Sequence, residues 1–304
     1  MIAYDFFVLS FAPLLIGILA SVACALPGNF LILRKQALIG DALSHVVLPG
    51  IVVAFLVTGL VSTWPMMIGA LIASFVAVGL IQIIQRVGRI EQGAAMGVVF
   101  TAMFAFGVLL LERTDTSKVH LDVQHALYGN LESLIWLDYS GWGSLMSLTD
   151  LSYLPVELWR MAGVAYVIIL FTVVFWRSLK LISFDEQFAS TQGVRVGLMS
   201  TALIGMAALA AVAAFDAVGS IIVIAMFICP PAIARLVTNS LRSQVWLSIL
   251  FATLSTILGF YMAAYGPRLL GYQESVSAAG MIATVSGVFL AIAAMSGPYR
   301  KANS

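Results

Sequence analysis

The sequence predicts an all-α integral membrane protein, a polytopic helical bundle of about nine transmembrane segments, and three observations carry that prediction. Of 304 residues, 62% are hydrophobic and only 10% are charged, with a mean hydropathy of +1.05. A soluble domain carries about 25% charge. Apolar runs long enough to cross a bilayer recur along the whole chain. Lysine and arginine fall mainly on alternate connections, as they do when one set of loops stays in the cytoplasm.

In chain order the apolar segments lie at 6–31, 38–60, 65–85, 92–111, 161–180, 197–215, 218–238, 245–265 and 278–296. The first leads straight into Arg34-Lys35, and with Asp5 in place of a basic start no cleavable signal is evident. Pro27-Gly28-Asn29 predicts a kink in this span, with Asn29 free to hydrogen-bond across helices. Pro230-Pro231 predicts a break in the seventh span. Asp216, between two closely spaced spans, reads as an N-cap or as part of an entrance, the cap being favoured. The connections at 86–91 and 239–244 are short. Residues 112–160 form a long polar-to-amphipathic region, and 181–196 a short amphipathic one. The whole of 1–304 reads as one transmembrane domain.

With the N-terminus outside and the C-terminus inside, the inner connections hold Arg34, Lys35, Arg86, Arg89, Arg177, Lys180, Arg195, Arg235, Arg242, Arg300 and Lys301. The outer side keeps only Arg113, Lys118, Arg160 and Arg268. Region 112–160 is then an external, acidic loop. The formal net charge of +1 and the lack of a basic stripe argue against a nucleic-acid partner. Cys24 and Cys229 sit singly in apolar runs and read as space-filling side chains.

Asp41 and His45, in Gly40-Asp41-Ala42-Leu43-Ser44-His45, stand four apart at the head of an apolar segment. Four residues make one helical turn, so a helix brings the two side chains to one face. A carboxylate and an imidazole paired in this way can hold a divalent cation. Ionisable groups beside bilayer-length apolar runs are costly, which marks them as functional candidates. The structural alternative is a capping aspartate and a histidine satisfied by a neighbour. His120, Asp122 and His125 form a second ligand-like group in the external region. They read either as collectors of cations at the mouth of a path or as ordinary solvated loop residues.

The segment Ser183-Phe184-Asp185-Glu186-Gln187-Phe188, running on to Gly193, carries a helix-start signature and stops at glycine. Phe184 and Phe188 share a helical face. The segment reads either as an interfacial helix resting on membrane lipid or as a knob that docks into a soluble partner. No Gly-x-x-x-x-Gly-Lys-Ser/Thr loop occurs, so the chain is not itself expected to hydrolyse ATP, and no His-Glu-x-x-His occurs to support a metalloprotease.

Four stretches resemble the permease subunits of manganese/zinc/iron-type ABC importers. They are Gly28 to Lys35 with Gly40 to Gly50, Phe184 to Gly193, Ala217 to Ile224 with Pro230 to Arg235, and Leu121 to Asn130. The external stretch at 138–155 is longer than that family usually has. The resemblance implies a non-enzymatic, multi-pass subunit of the bacterial cytoplasmic (inner) membrane. It would pair with a second permease subunit, a cytoplasmic ATPase and an extracytoplasmic metal-binding lipoprotein. It also implies that Asp41 and His45 line the translocation path and that 183–193 is a coupling helix, with Phe184, Asp185, Glu186, Phe188 and Gly193 meeting the ATPase. No covalent cofactor is expected; the ion is cargo, with manganese ahead of iron and zinc. The alternative is a secondary transporter driven by an ion gradient, which often shows interrupted helices in both halves. No second Asp-x-x-x-His accompanies the first here.

Overall fold

The computed structural model describes residues 7–59, 63–113, 131–136, 151, 153–269 and 276–296, and every long element among them is a helix. In chain order these are α1 (Ala12–Leu33), α2 (Leu38–Thr58), α3 (Thr63–Gly88), α4 (Gln92–Arg113), α5 (Val156–Val174), α6 (Trp176–Phe184), α7 (Glu186–Thr191), α8 (Val196–Val218), α9 (Ser220–Val237), α10 (Leu241–Leu269) and α11 (Ala278–Ser296). A π-helical turn at Phe7–Phe11 leads into α1. Among the described residues, α1, α3, α4, α5, α8, α9, α10 and α11 are long and apolar enough to cross a membrane. With α2, which has 21 residues, they account for the nine expected segments.

α1 is the hub and packs on α5, α8, α9 and α10. α2 packs chiefly on α3 and α4, and α8 and α9 join this trio to the rest. The composition of α8 explains its place. Ala207, Ala208, Ala210, Ala211, Ala213, Ala214 and Ala217 are all buried. Lipid tails are as apolar as leucine, so membrane helices gain by close van der Waals approach, which small side chains allow. The same logic brings Gly50 of α2 against Gly69 of α3, where a Cβ on either would collide with the other helix's backbone.

α9 remains helical through Pro230 and Pro231, contrary to the expected break, and α1 remains helical through Pro27. A proline at 231 leaves the carbonyl of Phe227 without its usual N–H donor four residues on. Gly28 of α1 lies against that same carbonyl, so closely that a Cβ there would strike the oxygen. The neighbouring helix thus covers the weak point of α9, as membrane bundles allow.

At one end of the bundle, α5 begins at Val156, five residues ahead of the expected span. Within the 112–160 region, residues 131–136 pack into the bundle: Trp136 is fully buried, its backbone N–H donates to the Val8 carbonyl at 2.9 Å, and Glu132 accepts from the Ala278 N–H at the start of α11. Asp216 is not the cap of α9. Gly219 holds that position with φ of +81°, so Asp216 stays in the last turn of α8. A carboxylate there opposes the helix dipole, and Arg160 of α5 compensates it at 2.6 Å while also binding Glu157 at 2.7 Å.

Candidate functional site: a metal path and a coupling segment

Asp41 lies in the first turn of α2, whose N-cap is Ala37, so Asp41 stands inside the helix rather than at its cap. It is half-buried. Leu38, three residues earlier and hence on the same side of the helix, is 55% exposed, so the first turn of α2 is partly open on this side. The opposite contact is tight: Gly40 packs on the ring of Phe227, where a Cβ would come within 2.7 Å of the ring. Phe227 therefore fixes how α2 starts, and sequence reading did not single it out. His45 follows one turn after Asp41 in α2, and its side chain lies outside the described residues, as do His120, Asp122 and His125. Among the described residues no three His, Cys, Asp or Glu side chains gather into a metal site.

The turn from α1 into α2 is built for rigidity. The Lys35 N–H donates to the Ile32 carbonyl at 3.0 Å and the Gln36 N–H to the Leu31 carbonyl at 2.8 Å. This pair of bonds makes a Schellman closure, with Lys35 in the left-handed position that glycine usually takes. Its φ of +57° carries a steric cost of about 1–2 kcal/mol for a residue with a Cβ.

The 183–193 segment divides differently from its sequence signature. Ser183 belongs to α6 and its hydroxyl donates back to the Leu179 carbonyl at 2.7 Å, so it does not cap. Asp185 is the true N-cap of α7: it has extended backbone angles, and its carboxylate accepts from the Phe188 N–H at 2.9 Å. Gly193, with φ of +79°, ends the segment. Phe184 and Phe188 are 56% and 51% exposed; the extended backbone of Asp185 puts Phe184 at the end of α6 and Phe188 in α7, so they do not share one continuous helical face as expected. Large apolar groups presented together at a helix–helix break suit a partner surface.

Glu186 turns the other way. Its carboxylate accepts from Arg34 at 2.6 Å, with the arginine side chain 7% exposed and the glutamate 57%. Arg34 also donates to the Gln36 side-chain oxygen at 3.3 Å and to the Ile182 carbonyl at 3.5 Å. Burial pulls the guanidinium pKa below its ordinary value, and the charge of Glu186 pushes it back up. Both residues stand on the wall of a cavity of about 510 Å³ that also reaches Gln82, Gln85, Ser200 and Thr201.

The profile of the ABC 3 transport family matches residues 7–138 and 143–297, nearly the whole chain. The chain belongs to the ABC 3 transport family. This ABC 3 family member is a multi-pass protein of the cell inner membrane. It is 38% identical over 282 residues to the manganese transport system membrane protein MntD of Bacillus subtilis, covering 93% of this chain and 90% of that one. It is 34% identical over 286 residues to the zinc transport system membrane protein TroD of Treponema pallidum, covering 93% and 73%. Among solved structures it superposes on PsaBC from Streptococcus pneumoniae, determined in complex with Fab, with a TM-score of 0.77 at 28% identity, covering 99% of this chain and 98% of that one. An inward-facing conformation of a putative metal-chelate type ABC transporter shares the fold, with a TM-score of 0.65 at 16% identity, covering 96% and 88%.

Proposed function

We propose that this chain is the membrane-spanning subunit of an ATP-driven importer of divalent metal, with its N-terminus outside and its C-terminus inside. Asp41 and His45 line the path, and the 183–193 segment receives the stroke of a separate ATPase. The observation that carries this reading is the placing of Asp41: half-buried, inside the helix rather than capping it, in a first turn of α2 where Leu38 on the same side is exposed. A dication cannot cross hydrocarbon unaided, so donors must replace its water along the way. A second permease subunit facing this side with an equivalent pair would bring the donors to four, enough for a tetrahedral or incomplete octahedral site.

Manganese leads iron and zinc as cargo in this proposal. The hard carboxylate of Asp41 suits manganese and iron, and the Bacillus subtilis relative is named for manganese. The Treponema pallidum relative is named for zinc, and such donors separate these ions poorly by affinity alone. Selectivity then rests with the extracytoplasmic lipoprotein that delivers the ion. His120, Asp122 and His125 would collect cations near that delivery point.

Orientation follows from charge. Arg34, Lys35, Arg89, Arg195, Arg235 and Arg242 all lie within two residues of the end of a long helix, and Arg177 and Lys180 lie in α6, at the end of the bundle that bears α6 and α7. The exposed Phe184 and Phe188 are thereby offered to the cytoplasm, where an ATPase would bind.

Reconstitution into vesicles with the candidate ATPase subunit and second permease tests the reading. Manganese uptake should require ATP and ignore an imposed proton gradient. Uptake that follows the gradient without ATP would place the chain among secondary transporters instead.

A further inference from the structure

We propose that Arg34 and Glu186 form a latch that ties the ATPase-facing helix α7 to the start of the metal-bearing helix α2. Through this latch, movement of α7 is passed to Asp41. The inference rests on the proposed import function and assigns Arg34 a positioning role within it.

Four features converge on this point. The ion pair spans 152 positions of sequence at 2.6 Å and joins the end of α1 to the first residue of α7. Arg34 is almost fully enclosed, and among the described residues Glu186 is its only ion-pair partner. A buried charge that loses its partner is strongly disfavoured, so α7 cannot leave without Arg34 following or finding a substitute. Beyond Arg34 the chain has no slack: the Schellman closure at Lys35 and the Ile39 N–H to Gln36 carbonyl bond at 3.0 Å carry it directly into α2. Asp41 lies seven residues past Arg34.

The fourth feature is room to move. The 510 Å³ cavity lies beside the pair, and on its wall the Gln85 side-chain nitrogen and the Ser200 hydroxyl are buried without a hydrogen-bond partner among the described residues. Buried polar atoms left unsatisfied are uncommon and favour a rearrangement that pairs them. A shift of α7 toward or away from this cavity changes which of these groups meet Arg34 and Glu186. The two exposed phenylalanines and Glu186 thus divide the labour on one short segment, Phe184 and Phe188 toward a partner and Glu186 toward Arg34.

The test compares Arg34→Gln, Arg34→Lys, Glu186→Gln and the double variant Arg34→Gln/Glu186→Gln in vesicles holding the complete transporter. Manganese taken up is measured per ATP hydrolysed, and pull-down reports how much ATPase subunit remains bound. A latch predicts that each glutamine variant lowers uptake per ATP about three- to tenfold, toward the lower end of the pairwise coupling seen between contacting residues. The double variant should be no worse than either single one, Arg34→Lys should recover part of the loss, and the bound ATPase should stay at wild-type yield. A wild-type ratio in both single variants overturns the latch, and so do additive losses in the double. Should Arg34→Gln fail to insert, Glu186→Gln decides alone, since its side chain is largely exposed. Failure of the import reading looks different: the unmodified transporter would then show no ATP-driven uptake at all.

Discussion

Asn29 of α1 donates through its side-chain nitrogen to the Ser248 hydroxyl of α10 at 2.6 Å, and eight residues away on each helix Ser21 and Thr256 share a hydrogen bond of 2.7 Å. As one index rises by eight the other falls by eight, so α1 and α10 run antiparallel in fixed register. Asn29 also donates to the Ala25 carbonyl at 2.7 Å and has no exposed surface. Polar pairs of this kind hold membrane helices in register.

Removing either partner should therefore cost little but measurably. We expect Asn29→Ala to lower thermal stability in detergent more than Ser248→Ala does. The serine hydroxyl has its own bond to the Val245 carbonyl at 2.8 Å, whereas Asn29 supplies both of its donors to this contact and to α1. A double-mutant cycle should return a coupling of about 0.6 kcal/mol, the average for hydrogen bonds inside membrane bundles. A coupling of zero would contradict the registered pair.

Glycine positions give a sharper contrast. Gly28→Ala should destabilise the protein by about 1–3 kcal/mol, because the new methyl group meets the backbone carbonyl of Phe227, which cannot rotate aside. Gly163→Ala, in open space on α5, should be neutral or stabilising, since alanine favours a helix over glycine by about 0.5–1 kcal/mol. Thermal unfolding followed by fluorescence distinguishes the two. Equal effects would mean that α1 and α9 do not approach as closely as described.

Much of this fold was legible in the sequence, and the reasons are specific. Spanning length and apolarity located the nine long helices because a bilayer demands both. Asn29 was rightly expected to bond across helices, since an amide buried in apolar surroundings must find a partner. Asp216 was misread because local sequence cannot reveal Arg160, which comes from a helix 56 residues earlier. The start of α5 was set too late for the same reason: Glu157 and Arg160 look like loop charges until they are seen to neutralise one another. The prolines of α9 were expected to break it, because the support from Gly28 is a tertiary fact. At the candidate site, Asp41 could be named from spacing alone, but neither the Gly40–Phe227 contact nor the Arg34–Glu186 pair has a local signature.

The proposed docking role of the 183–193 segment predicts a separable defect. Phe184→Ala with Phe188→Ala should weaken binding of the ATPase subunit while leaving metal binding intact, because both rings are exposed and neither supports the core. Gly193→Pro should act in the same direction, since proline cannot adopt the positive φ found there. Recovery of the ATPase at wild-type yield from these variants would count against this surface.

The central claim is that Asp41 and His45 carry the cargo, and the most direct measurement is radioactive manganese uptake by cells expressing Asp41→Asn or His45→Ala at matched membrane levels. Asparagine keeps the size of Asp41 and removes the charge that a dication needs, so insertion should be normal and uptake should fall to background in both variants. Near-normal uptake in both would contradict the account.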